Sequence, residues 1–167
     1  MSSGRPRRTE PELRRCTAHL ADAEATRALG EAIGRLGGPG TTVLLAGPIG
    51  AGKTTLAQGV LAVWAGVARA KSPTFTLVAS YPGDVHHVDL YRLTEGEAED
   101  VDIMDLFGPS SRVIVEWWER APRLMPPEAL SVRLEGDGAG RLAILEASGA
   151  ACEAMLEALC REGGGAR

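Results

Sequence analysis

Short apolar runs and amphipathic stretches follow one another along the chain, separated by breaks rich in glycine and proline. Leu13 to His19 reads as a short strand. Asp22 is placed to cap a helix reaching about Leu36, because Leu29, Ile33 and Leu36 recur at i, i+4 and i+7 on one face. GGPG then breaks the pattern. Residues 41–46, TTVLLA, form a continuous apolar run suited to a buried strand. A glycine-rich loop follows, then a helix from Lys53 to about Ala65 with Leu56, Val60, Val63 and Trp64 on its buried side. FTLVASY and VHHVDLY read as two strands joined by PGD, whose Pro and Gly supply the turn angles. Glu95 to Phe107 reads as a short acidic helix and RVIVEW as another apolar strand. ALSVRLEG and RLAILEA form a hairpin across DGAG. Ala150 to Arg161 makes a last helix with Cys152, Met155, Leu156 and Leu159 inward. The pattern predicts an α/β fold: three layers, α/β/α, around a mixed, mainly parallel central sheet, with an antiparallel hairpin near the C-terminus.

Composition adjusts this picture only slightly. A chain of 167 residues, 44% hydrophobic and 24% charged, fits one globular domain. Residues 13–162 are assigned to it. The Arg-rich start, residues 1–12, and the last five residues of REGGGAR, 163–167, read as disordered tails. The net charge of −4 argues against a broad nucleic-acid face. No apolar run approaches the ~20 residues of a membrane span, and the polar start lacks a signal-peptide core. A cytoplasmic protein that engages no membrane is expected. Cys16, Cys152 and Cys160 are odd in number and form no Cys-x-x-Cys pair, so buried free thiols are expected rather than a disulfide or zinc framework.

The glycine loop carries the strongest chemistry. The chain has two lysines against sixteen arginines, and one of the two lies in GPIGAGKTT. Gly47, Gly50, Gly52, Lys53 and Thr54 match G-x-x-x-x-G-K-[ST], between an apolar strand and a helix as the mechanism requires. Gly47, Ile49, Gly50, Ala51 and Gly52 would wrap main chain around phosphate oxygens, with Thr55 on the first helical turn. Lys53 would reach the β and γ phosphates and Thr54 would offer a hydroxyl to Mg²⁺. A flat guanidinium cannot replace the compact ammonium in such a cradle, which explains a lysine in an arginine-biased chain. Pro48 removes one N–H, at a position before the main donors. The architecture is therefore expected to be P-loop NTPase-like.

A phosphate-bound Mg²⁺ calls for a carboxylate at a strand end beside the loop. Asp89 and Glu116 both qualify, for holding the metal or for orienting an attacking water. The acidic run EGEAEDVD reads as a solvated face. His86 and His87 point to opposite faces of one strand and are assigned structural roles. In KSPT, Thr74 reads equally as a turn residue and as a switch that senses the terminal phosphate. Of Trp117 and Trp118, one is expected in the core and the other beside the site.

Taken together, GPIGAGKTT, KSPTFTLV, HHVDLYRL and VIVEWW, in this order and spacing, resemble the bacterial TsaE (YjeE) family. The resemblance runs from about Cys16 to Ala147. It implies ATP binding with Mg²⁺, slow ATP hydrolysis, and work beside the TsaB–TsaD pair in the threonylcarbamoyl modification of adenosine in tRNA, with tRNA met only through that complex. It carries Lys53 and Thr54 over as phosphate and Mg²⁺ contacts, Glu116 as the acidic metal-site residue, and Asp89 and Thr74 as further functional positions. Asp22 and Arg141 look like family positions near the nucleotide. Pro48 stands where the family often has an acidic residue, and Trp118 doubles its usual single Trp. A small-molecule kinase is the main alternative, with Arg92, Arg120 and Arg123 as possible phosphate-lid residues, although no lid segment is visible. A binding module that senses nucleotide without useful hydrolysis is the third reading. A GTPase of the Asn-Lys-x-Asp type is disfavoured, since the chain contains no asparagine.

Overall fold

The structure is a computed structural model that describes residues 14–162. Leu13 and both expected tails lie outside the described residues. Strand β1 (Arg14–Leu20) leads through Asp22 into helix α1 (Ala23–Leu36), and the Asp22 carboxylate accepts the Ala25 N–H at 2.8 Å, the N-cap expected from sequence. Strand β2 (Thr42–Ala46), the glycine loop and helix α2 (Lys53–Trp64) follow. Next come β3 (Val78–Tyr81), β4 (Val85–Asp89), the short helix α3 (Glu95–Glu99), β5 (Arg112–Glu116), the hairpin β6 (Ala129–Asp137) and β7 (Gly140–Ser148), and helix α4 (Ala150–Glu162).

The seven strands form one mixed sheet in the order β1-β7-β6-β2-β5-β4-β3. Its centre, β6-β2-β5-β4, is parallel; β7 on one flank and β3 on the other run antiparallel to it, and the edge strand β1 pairs antiparallel with β7. Alternation along β2 sends Val43 and Leu45 into the core under α1, α2 and α4, and Leu44 into a second core on the opposite face. Helices α1 and α2 touch closely. A Cβ on Gly30 would meet the Leu56 carbonyl, and one on Gly59 the Arg27 carbonyl, so both positions need glycine. The second face is covered by α3 and by three 3₁₀ turns (Met104–Leu106, Trp118–Arg120 and Pro122–Leu124). The expected α/β architecture is present.

Several local expectations are corrected. The acidic helix ends at Glu99, where the Thr94–Glu97 capping box has satisfied its first turn; the chain then turns so that Ile103 reaches the second core. Phe75 to Leu77 are turn rather than strand, with Leu77 at φ +62°. Val63 is exposed, because α2's buried side centres on Leu56, Val60 and Leu61. Cys16 and Cys160 are joined in a disulfide across 144 positions, where free thiols were expected. Strand β1 and helix α4 pack on each other at the sheet edge and bring the two Cα atoms to 6.3 Å, a proximity that spacing along the chain does not encode. Cys152 is free and buried, as expected.

Candidate nucleotide site

In open α/β sheets, ligand sites form outside the carboxyl ends of the parallel strands. The carboxyl ends of β2, β4 and β5 lie side by side here and carry, respectively, the glycine loop, Asp89 and Glu116. Asp89 and Glu116 are direct neighbours across the β4–β5 pairing. His87, two residues before Asp89, shares its face of the sheet.

The loop's main chain is bent by glycines at φ +134° (Gly47), +76° (Gly50) and +104° (Gly52). A side chain at Gly47 would run into the Leu134 carbonyl of β6. Gly52 starts α2 without a side-chain cap, leaving the helix N-terminus free to meet an anion. The Lys53 ammonium is buried. It donates to the carbonyls of Gly47 (2.6 Å) and Pro48 (2.9 Å) and lies 4.1 Å from the centre of the Trp117 ring. Burial pushes its pKa below the usual lysine value, against the opposing pull of Glu116, Glu119 and Asp89. Trp117 adopts left-handed backbone (φ +61°) and stacks near Tyr91, with ring centres 5.0 Å apart. It is therefore the tryptophan that flanks the site, while Trp118 packs against the second core.

The two carboxylates have different company. Thr54 Oγ1 donates toward both oxygens of Glu116, at 3.3 Å each, and His87 Nε2 lies 2.9 Å from Glu116 Oε1. Asp89 instead collects the segment from Ser72 to Thr74. Ser72 Oγ and Thr74 Oγ1 (3.2 Å) both donate to its Oδ2, and the Tyr91 N–H donates to Oδ1 at 2.9 Å. The root of that segment is tied to the helices: Gln58 donates to the Ala70 carbonyl at 2.8 Å, and Arg27 donates to Gln58 at 2.9 Å. Beyond Thr74, Phe75 is 82% exposed and carries the Arg92 guanidinium 3.8 Å from its ring centre.

Asp89, Glu116, Ser72, Thr74, Tyr91 and Trp117 border a cleft of about 440 Å³ that includes Ile49, Gly50, Gly52, Lys53, Thr54 and Thr55. Gly50, Gly52 and Thr55 also border a smaller adjoining cleft of about 180 Å³, with Ala51, Asp22 and Arg141. Arg141 reaches there from the hairpin and donates to the carbonyls of Ala51 and Gly50, both at 3.1 Å. A wider cleft, about 670 Å³, lies over β6 and β7 and contains none of these groups. The structure thus brings every site residue expected from sequence to the two clefts or, for Gly47, to the loop that borders them. Ser72 and His87 are additions. Their signals were present: a second hydroxyl two positions before Thr74, and the alternation that sets His87 beside Asp89. Of the arginines considered for a kinase lid, Arg92 stacks on Phe75 and Arg120 lies 5.7 Å from the Trp117 ring centre, beside the cleft, but both have protein partners. Arg120 donates to the Leu93 carbonyl at 2.6 Å, and Arg123 lies 3.8 Å from Glu99.

The donor set suits a nucleotide with a hard divalent cation. Thr54 and Glu116 offer oxygen atoms at the end of a cradle that also holds a buried ammonium. Among the described residues no group of three or more His, Cys, Asp or Glu side chains converges as a metal site. A cation held by one or two protein oxygens together with phosphates fits that arrangement.

Comparison with known proteins identifies the family. Residues 20–143 match the family described as threonylcarbamoyl adenosine biosynthesis protein TsaE. The chain is 34% identical over 119 residues to the tRNA threonylcarbamoyladenosine biosynthesis protein TsaE of Bacillus subtilis, covering 69% of this chain and 74% of that one. It is 37% identical over 131 residues to the Mycobacterium tuberculosis H37Rv protein of the same name, covering 71% and 78%. Among solved structures, YdiB of Bacillus subtilis superposes with a TM-score of 0.76 at 25% identity, over 92% of this chain and 99% of that one.

Proposed function

This chain belongs to the TsaE family, which acts in the biosynthesis of threonylcarbamoyladenosine in tRNA, and from that premise we propose that it is a cytoplasmic ATPase whose nucleotide state switches a TsaB–TsaD partner pair. The observation that carries this reading is the meeting of Thr54 and Glu116 at the mouth of a glycine loop whose lysine is buried.

In this reading the loop from Gly47 to Gly52 and the N-terminus of α2 bind the phosphates, and Lys53 leaves its carbonyl partners for phosphate oxygens. Thr54 and Glu116 hold Mg²⁺, which when bound neutralises charge on the terminal phosphates. Asp22, Arg141 and the smaller cleft accommodate the rest of the nucleotide. Asp89 has two tasks: to orient the attacking water and to tether Ser72 and Thr74. A terminal phosphate that competes for those hydroxyls changes how the loop through Phe75 is held. The exposed Phe75–Arg92 pair thereby transmits nucleotide state to the partner surface. tRNA is met through the partners.

ATP turnover measured with and without the TsaB–TsaD pair tests the proposal. Turnover is expected to be slow alone, to rise with the pair, and to lose that rise in Lys53→Ala. A rise that persists in Lys53→Ala contradicts it.

A further inference from the structure

His87 is completely buried, yet it is polar and its side chain makes one hydrogen bond, from Nε2 to Glu116 Oε1 at 2.9 Å. Its other ring nitrogen, Nδ1, is also buried and has no hydrogen-bond partner among the described residues. It sits between Ala79 of β3 and Ile114 of β5 in the sheet, in a setting where an aliphatic residue would pack without unpaired polar atoms. The arrangement makes sense for the carboxylate rather than for the core. Glu116 is almost fully buried, and among the described residues its carboxylate accepts from the Thr54 and His87 side chains and from no backbone N–H. A carboxylate there has two oxygens to orient, and Thr54 donates equally to both.

We propose that His87 is a positioning residue: its Nε2–H holds Glu116 Oε1, fixes the rotation of the carboxylate, and so presents Oε2 to the cation site. A ring nitrogen that donates to a carboxylate ligand orients it and sharpens its affinity for the metal. This rests on the reading of Glu116 as an oxygen donor to Mg²⁺. It assigns the two oxygens separate work, Oε1 to the protein and Oε2 to the cation.

The test is binding of Mn²⁺ in the presence of ADP, followed by electron paramagnetic resonance, in Glu116→Gln, His87→Leu, His87→Asn and His87→Gln. Glutamine can deliver an N–H close to where Nε2 stands; asparagine is too short and leucine has none. His87→Leu and His87→Asn are expected to weaken Mn²⁺ binding about tenfold, and His87→Gln to stay within about twofold of the natural protein. ADP affinity without metal is expected to be unchanged in all three. Nitrogen NMR of the histidines is expected to find the His87 proton on Nε2. Should His87→Leu fail to fold, the Asn and Gln variants carry the comparison. Unchanged Mn²⁺ affinity in His87→Asn while Glu116→Gln is weakened overturns the positioning role alone. Unchanged affinity in Glu116→Gln overturns the reading of Glu116 beneath it.

Discussion

Strand β4 is bracketed by Asp84 before its first residue and Asp89 at its last, and each carboxylate gathers hydroxyl groups. At the amino end, Asp84 accepts from Ser110 (2.8 Å) and Ser111 (2.9 Å), and His86 bridges it to Ser80 with 2.9 Å on either side. At the carboxyl end, Asp89 accepts from Ser72, Thr74 and the Tyr91 N–H. Chemically the first cluster looks the more catalytic, a serine, a histidine and an aspartate in a row. Asp84, Ser80 and Ser110 are exposed, the cluster sits at a turn, and Asp84 has left-handed backbone (φ +57°). Its hydrogen bonds pin the β3–β4 turn to the start of β5. At the other end Asp89 is buried, with Ser72 and Thr74 half-buried, beside a glycine loop and a helix N-terminus. Inventory of residue types does not separate the two ends; position relative to the carboxyl edge of the parallel strands does.

The largest expected effect bears on neither end, and so bounds the comparison. Reducing the Cys16–Cys160 bond releases a constraint across 144 positions, worth up to about 5 kcal/mol in the chain-entropy model. Thermal unfolding with and without a dithiol reductant is expected to show a clear fall in Tm. Turnover at 25 °C should be retained, because β1 and α4 lie across the sheet from β4.

Next, Asp89→Ala is expected to lower partner-stimulated ATP turnover by ~10²-fold or more, the scale of losing a positioned base. Asp84→Ala is expected to leave turnover as it was. Equal losses at the two ends would erase the distinction drawn between them. A smaller effect is expected of Ser72→Ala, which removes one of two hydroxyl tethers while Thr74 remains. Turnover should change by less than in Asp89→Ala, and the Phe75 loop should become more open to protease.

The smallest effect is a pH dependence at the other end. Hydrogen bonds from His86 first, then Ser110 and Ser111, hold the Asp84 carboxyl below its ordinary value. A lowered native pKa adds stability that is present above the unfolded value, near 3.9, and fades as pH falls through the native one. Asp84→Asn should therefore melt slightly below the natural protein at neutral pH. The gap should close as pH falls from the ordinary carboxylate range through the lowered native value. A gap that widens on acidification would contradict this.

What was legible in the sequence was what short-range chemistry dictates. GPIGAGKTT announces a phosphate loop because its glycines, lysine and threonine are needed within nine positions, and apolar runs ending in Asp89 and Glu116 announce strand ends. Their division of labour was not legible. It depends on which side chains arrive from elsewhere: Thr54 onto Glu116, Ser72 and Thr74 onto Asp89. His87 was readable as facing the same side as Asp89, but its contact with Glu116 needs the β4–β5 register. The Cys16–Cys160 pair lies at opposite ends of the chain, and only the packing of α4 on β1 unites it. The acidic segment after Thr94 looked helical throughout because its charges suit a solvated face; the burial of Ile103 decided otherwise.

The account stands on the glycine loop gripping a nucleotide's phosphates. Isothermal calorimetry of ATP with Mg²⁺ on the natural protein and on Lys53→Ala tests this most directly. Saturable binding by the natural protein, lost or greatly weakened in Lys53→Ala, is the result expected. No heat from the natural protein, or equal binding by both, would contradict it.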